Sequence, residues 1–543
     1  MPETVIYYGG IILPMDDSAA SPEALAVRDG RIAAMGTFDD MRAFAGSSAR
    51  MIHLDGAALL PGFYDGHSHF LRAGLYEHVY VDLRSRPVGP IDSIEDIKGI
   101  LRRRIEETPE GQWIRCHGYD DTALAEKRHI TLAELDELST RHPIYLRHVS
   151  GHLAVFNSRA LALGGITDST PAPAGGAIRH DASGRPNGLL EEAAAMDMVL
   201  SHMPAPSGDD WQKGLDIACG MYSSRGITTA QDGGVTPVIW KELFRGYARG
   251  AVRCRVQLLP LTREDTRYAP DLPPGSSLTP DHMLSLGAFK LVADGSIQGY
   301  TGYLSEPYHT LPPDRPSDWR GYPVCGKTAL AAEVLKYHSQ GRQIAIHGNG
   351  DAAIDDILDA FEDAQKALPR TDLRHIVIHA QMAREDQIDR MARLGVVASF
   401  FPAHIYYWGD RHLKMFLGPR RAARLDPLHS AVVRSLPFSM HNDTPITPVN
   451  PLGLLSSAVN RITFGGTCLG PEQRITVYDG LLALTRYSAW QYHEEHLKGT
   501  LTVGKLADFT VLDRNPLDLA PQEIDSLRIR ATIVGGRIIY GGF

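Results

Sequence analysis

The sequence predicts an α/β chain: a (β/α)8 TIM barrel, a small β-sandwich built from both chain termini, and an inserted α/β subdomain. Three observations carry this expectation. From about residue 56 onward, short apolar runs alternate with helical patterns, as parallel α/β construction requires. Eight of these runs read as strands: 59–64, 227–231, 253–259, 288–293, 343–347, 376–379, 396–400 and 437–441. The two ends have another texture, apolar runs broken by Gly and Asp at 7–13 and 531–539, which suits short antiparallel strands that would most simply pair with each other.

The expected division is 1–55 with 500–543 for the sandwich, 56–70 with 216–499 for the barrel, and 71–215 for the insertion. The gap between the first two barrel strands is too long for one crossover helix. It carries its own elements, a helical pattern over 93–107, an apolar run over 142–147 and a Gly/Ala/Pro-rich stretch over 170–176, and reads as a subdomain above the barrel mouth. A proline-rich segment, 302–322, follows the fourth strand directly; a passive connection and a lid are equally open for it.

Composition excludes more than it selects. With 543 residues, 43% of them apolar, the chain can bury a large core, and its net charge of −9 with no basic run argues against a nucleic-acid partner. The five scattered cysteines fit reduced thiols, hence a cytoplasmic location, better than a disulfide framework. The N-terminus lacks the pattern of a signal peptide and no run approaches ~18 uninterrupted apolar residues, so no membrane partner is expected.

The barrel strands end in side chains that can bind a metal. His67 and His69 follow a Pro-Gly turn as His-x-His, and residues two apart on a strand share a face, so both imidazoles can reach one ion. Lys290, His347, His379 and Asp443 each fall at the end of a separate apolar run. A parallel barrel aims such side chains at one point above its C-terminal rim. One strand-end histidine is an ordinary core residue; the repeated placement in barrel order points to metal-dependent hydrolysis.

The order and flanks of these residues resemble the amidohydrolase superfamily, and within it the YtcJ-like branch that includes N-substituted formamide deformylases. Segments 24–32 and 503–513 look like its opening and closing β-sandwich strands; 151–158, 188–192 and 294–296 are similar to internal motifs of the branch. The resemblance implies two ions, zinc by default with manganese, iron, cobalt or nickel open, bridged by Lys290 as a carbamate. A lysine paired with a carboxylate such as Asp294 is the plainer alternative. Given the carbamate, His67, His69 and Asp443 would hold the more buried ion, and His347 and His379 the more exposed one, with Lys290 between them. Metal-bound hydroxide would attack a small-molecule amide, N-acyl or N-formyl compound, with Asp443 as general base and then acid.

His152, Asn157 and Glu192 lie in the branch-like motifs and are candidate substrate contacts, against the readings of loop histidine, helix cap and solvated helical face. Tyr119, Asp120 and Asp121 are weaker candidates of the same kind. Two departures from the branch, Ile378 and Tyr300 where relatives carry charges, suggest a less polar pocket; a third sets His441-Asn442 before Asp443. The same chemistry would serve a deaminase or an ester, carbamate or lactam hydrolase, and a noncatalytic regulatory protein on this fold is the remaining class. Barrels of this kind often pair, so a homodimer is open, although no periodic feature names an interface.

Overall fold

The structure, a computed structural model, describes residues 4–16, 21–311 and 315–543. The opening Met1, Pro2 and Glu3, on which the reading of the N-terminus begins, and Pro312, Pro313 and Asp314 of the proline-rich segment lie outside the described residues.

The terminal stretches form two sheets. One has the order Arg31–Gly36, Ala24–Arg28, Val5–Tyr8, Arg50–His53; the other runs Ile11–Ile12, Ala58–Pro61, Phe509–Leu512, Ile529–Val534, Arg537–Gly541. The chain ends meet where Ala58–Pro61 pairs antiparallel with Phe509–Leu512. Tyr7, Leu25 and Val27 from the first sheet and Leu59, Phe509 and Ile533 from the second bury their side chains in one apolar cluster.

The predicted strand 59–64 is therefore two strands. Ala58–Pro61 belongs to a terminal sheet, and Phe63–Tyr64 pairs in parallel with Ile227–Val235. The break falls at Gly62, where a Cβ would stand 2.1 Å from the Thr228 hydroxyl, so glycine alone lets the backbone pass between the layers.

The parallel strands lie in two sheets. The first holds Phe63–Tyr64, Ile227–Val235, Arg255–Pro260 and Leu284–Leu286; the second holds Phe289–Val292, Ile344–Gly348, Ile376–His379, Val397–Phe400 and Phe438–Met440. Leu284–Leu286, absent from the predicted set, is the first half of the Lys290 strand. It separates at Gly287, whose N–H donates to Leu258 O at 2.8 Å while a Cβ would press on Leu259 and Gln257. These strands are almost wholly buried, as expected when parallel sheets are covered on both faces. A covering helix such as Asp351–Ala367 turns Ile354, Ile357, Leu358 and Phe361 inward at helical spacing.

First and last strands are joined at their ends. Gly66 N–H donates to Met440 O at 3.1 Å, and Asn442 N–H donates to Asp65 Oδ1 at 3.1 Å.

Between 81 and 191 the chain builds its own six-stranded sheet, ordered Ala177–His180, Pro186–Glu191, Leu153–Phe156, Ile144–His148, Ile114–Tyr119, Val81–Asp82. The predicted helix over 93–107 is Ile94–Glu107, started by a capping box in which Ser93 and Asp96 satisfy each other's backbone N–H. The proline-rich segment docks on this sheet: Arg315 donates to Glu191 Oε1 at 2.5 Å and Tyr322 OH to Glu191 Oε2 at 3.3 Å.

A buried fork ties the C-terminal segment to the parallel sheet. Arg255 donates to both Asp508 oxygens, at 2.6 and 2.9 Å. Burial pushes the Asp508 carboxyl up, but Arg255 outweighs it and holds the pKa below its ordinary value. Asp508→Ala is expected to cost about 3–5 kcal/mol in denaturant unfolding, because it strands a buried guanidinium. A depressed folded pKa means that this contribution is present above the unfolded carboxylate pKa of about 4 and is lost as pH falls through the folded value. The difference between parent and variant should therefore shrink in acid; a constant difference would remove the ion pair as its cause.

Among the described residues no helix is long and apolar enough to cross a membrane, and all five cysteines are free.

Candidate metal centre

His67 and His69 are not on a strand. They occupy the bend between Phe63–Tyr64 and the helix Phe70–Val79, which corrects the same-face argument. Their common aim comes from backbone bonds to the turn after Phe438–Met440: Asp443 N–H donates to His67 O at 3.1 Å, and His69 N–H to Thr444 O at 2.9 Å. The two turns are thereby laced together, and ligand atoms of His67, His69 and Asp443 lie within 4.8 Å of one another.

The separations are 3.6 Å from His67 Nε2 and 3.4 Å from His69 Nε2 to Asp443 Oδ1. Gln231 Oε1, at 2.6 Å, engages the opposite nitrogen of His67, fixing which nitrogen faces inward. Lys290 Nζ stands 3.3 Å from His67 Nε2. Asp294 is not its partner: that carboxylate accepts the backbone N–H groups of Tyr303, Asn349 and Gly350.

Beside this group, His379 Nε2 and His347 Nδ1 are 3.1 Å apart. His379 Nδ1 meets His441 Nε2 at 3.0 Å, and His441 Nδ1 meets Ser399 Oγ at 2.9 Å, so a buried chain orients the His379 ring. His441 and Gln231 were missed as site residues. His441 stands out in the sequence only as a departure from the branch, and Gln231 only as the end of a strand.

The electrostatics suit metal ligands. Burial first, then neighbouring cationic charge, holds His67, His347 and His379 well below the ordinary histidine pKa, in the neutral form that a metal needs. Burial brings the Lys290 amine down to about 7 against the pull of Asp443. Burial pushes Asp443 up, but the close approach of His69 and the charges of His69, His441 and Lys290 outweigh it and keep its pKa lowered. Asp443 Oδ1 and His69 Nδ1 are buried without a hydrogen-bond partner. An acceptor oxygen left open among converging nitrogens fits a cation.

Backbone conformation marks the same place. His379, Asp443 and Glu192 have φ of 71°, 51° and 63°, in the left-handed region that non-glycine residues rarely occupy. Such strain persists where surrounding structure over-determines it, commonly at functional sites.

The predicted ligands line one cavity of about 450 Å3, together with His152 and Glu192. His152 Nδ1 meets Glu192 Oε2 at 2.8 Å, and its ring lies 5.0 Å from that of His347. Asn157 is elsewhere, and its expected substrate contact is corrected: it caps the helix Ser158–Leu163 and bonds Ile144 N, Ser139 O and His142 O. Every polar atom of that side chain is spent on the backbone.

Asp120 and Asp121 gather with His148 instead, where Arg411 donates to Asp120 at 2.6 Å and supplies the counter-charge. The two residues behind the expectation of a less polar pocket do not line this cavity. Tyr300 packs on Tyr308 and Phe416, and Ile378 sits in the packed interior with Tyr64 and Leu259; the cavity wall carries Arg72, Arg147 and Arg263.

Comparison with known proteins agrees with this geometry. The putative amidohydrolase YtcJ of Bacillus subtilis (strain 168) is 29% identical over 98% of this chain and 99% of its own length. An N-substituted formamide deformylase of Arthrobacter pascens is 29% identical over 97% of this chain and 96% of its own. The fold is that of an uncharacterized metal-dependent hydrolase from Pyrococcus horikoshii OT3, with TM-score 0.74 at 24% identity over 96% of this chain and 99% of that one. The model of the amidohydrolase family matches residues 50–540, from the strand Arg50–His53 to the last strand, Arg537–Gly541, and the chain belongs to that family.

Proposed function

We propose that the protein hydrolyses the carbon–nitrogen bond of an amide, an N-acyl or N-formyl compound, at a centre of two divalent ions. The observation that carries this reading is the convergence of His67, His69 and Asp443 within 4.8 Å, with Lys290 Nζ 3.3 Å from His67 and the His347–His379 pair alongside. Imidazole and carboxylate donors suit zinc. Bound there, the ions would supply acidified water and a polarised carbonyl at neutral pH.

The chain's own groups do the rest. Asp443 takes a proton from the attacking water and returns it to the departing amine. Lys290, whose amine pKa burial brings down to about 7, would add carbon dioxide with loss of a proton, and the carbamate would hold the ions together with His67, His69, His347, His379 and Asp443. His152, oriented by Glu192, holds the substrate. The reading includes a closed barrel, for which the bonds from Gly66 to Met440 and from Asn442 to Asp65 give support, with the terminal sheets as a sandwich and 71–215 as a subdomain over the mouth.

The test is a panel of N-formyl and N-acyl amines offered to zinc-reconstituted protein, with amine release as readout. Hydrolysis abolished by a chelator is expected; inertness across the panel would overturn the proposal. His152→Ala should raise KM or lower kcat by about 10-fold or more with metal content retained. Unchanged kinetics would return His152 to a structural role.

A further inference from the structure

We propose that the cavity selects amides bearing a carboxylate, gripped by Arg72 and Arg147; this rests on the hydrolase reading above and names its substrate class. Arg72 and Tyr76 lie four residues apart on the helix Phe70–Val79, hence on one face. Arg147 comes from the strand Ile144–His148 of the inserted sheet, and its guanidinium stands 5.3 Å from the Tyr76 ring centre. All three line the cavity that contains His67, His69, Lys290 and Asp443.

The acidic groups of that cavity are already engaged. Glu192 meets His152 at 2.8 Å, Asp197 meets Arg263 at 3.5 Å, and Asp443 faces the two histidines. Among the described residues, no carboxylate oxygen comes within salt-bridge distance of Arg72 or Arg147. Among the described residues the Arg147 side chain makes one long hydrogen bond, 3.5 Å, to Gly151 O.

Two half-buried guanidiniums that make no carboxylate salt bridge among the described residues, on walls from two different parts of the fold, constitute a receptor for an anion. Arginine's planar fork matches a carboxylate in two parallel bonds, and Tyr76 adds a hydroxyl donor. The carboxylate would then be read by Arg72 and Arg147 while the scissile amide lies against the predicted ligands that line the same cavity.

The test compares N-formylphenylalanine with N-formyl-2-phenylethylamine, which differ only in the carboxylate, by calorimetric titration and by kcat/KM on zinc-reconstituted protein. The acid is expected to bind about 10- to 100-fold more tightly, and Arg147→Gln and Arg72→Gln each to cut that ratio about 10-fold with zinc content retained. Equal affinity for the two compounds, or ratios unmoved in both variants, would overturn the proposal. Tighter binding of the corresponding phosphonate would also overturn it, by reassigning the arginines to a phosphoryl group. Should a glutamine variant fail to fold, the ratio on the parent protein decides alone. If neither amide is cleaved, the panel of N-formyl and N-acyl amines judges the hydrolase reading while the calorimetric ratio still judges the anion site.

Discussion

Asp443→Asn is expected to lower turnover by about 10²- to 10⁴-fold, the usual worth of a positioned general base, while most of the metal stays bound. The carboxylate is buried, its Oδ1 has no hydrogen-bond partner, and it lies 3.4 Å from His69 Nε2 and 3.6 Å from His67 Nε2. An amide of the same shape keeps an oxygen for the metal but cannot take a proton from water. The two turns that carry the residue are held through the backbone, so the substitution leaves the lacing between His67 O and Asp443 N intact. Kinetics and elemental analysis on the same preparation check this. An active variant would remove the proton-transfer role, and a metal-free one would make Asp443 chiefly a ligand.

Lys290→Ala is expected to reduce the metal from two ions to one or none and to lower turnover by at least about 10²-fold. Among the described residues the buried amine has no carboxylate salt bridge; it stands 3.3 Å from the His67 imidazole, and Asp443 is its opposing charge. A protonated lysine so placed would repel any ion bound by His67, His69, His347 and His379. A carbamate at the same position reverses that sign and offers an oxygen to each side. If the alanine variant keeps both ions and full turnover, the bridging role is wrong.

The residues that speak most clearly in the sequence are those tied to their neighbours by the backbone. Ile376–His379 is a strand with the predicted bounds, 343–347 differs from Ile344–Gly348 by one residue at each end, and 396–400 differs from Val397–Phe400 by one residue at its start, because continuous apolar runs in a parallel sheet mark themselves. The run 59–64 misled because burial is continuous across Gly62 while the layer changes, and only the contact with Thr228 tells the halves apart. Asn157 illustrates the limit of motifs: its neighbours His152 and Glu192 face the cavity, yet its amide is consumed by capping and by the carbonyls of Ser139 and His142.

Arg72 and Arg147 could not be paired from the sequence. They are 75 positions apart, on a helix and on a strand of different layers, and each alone reads as an ordinary solvated charge. Tyr300 and Ile378 mislead in the opposite direction: strand alternation turns Ile378 away from its neighbour His379 into an apolar cluster, and the turn that carries Tyr300 packs it into another, so neither change of residue type lines the cavity.

The central claim is a two-ion centre bridged by Lys290. Elemental analysis of the purified protein, joined to an intact mass under native, non-acidic conditions, tests it most directly. Two ions per chain with one added carbon dioxide is the predicted result; one ion or none, with no adduct, would contradict it.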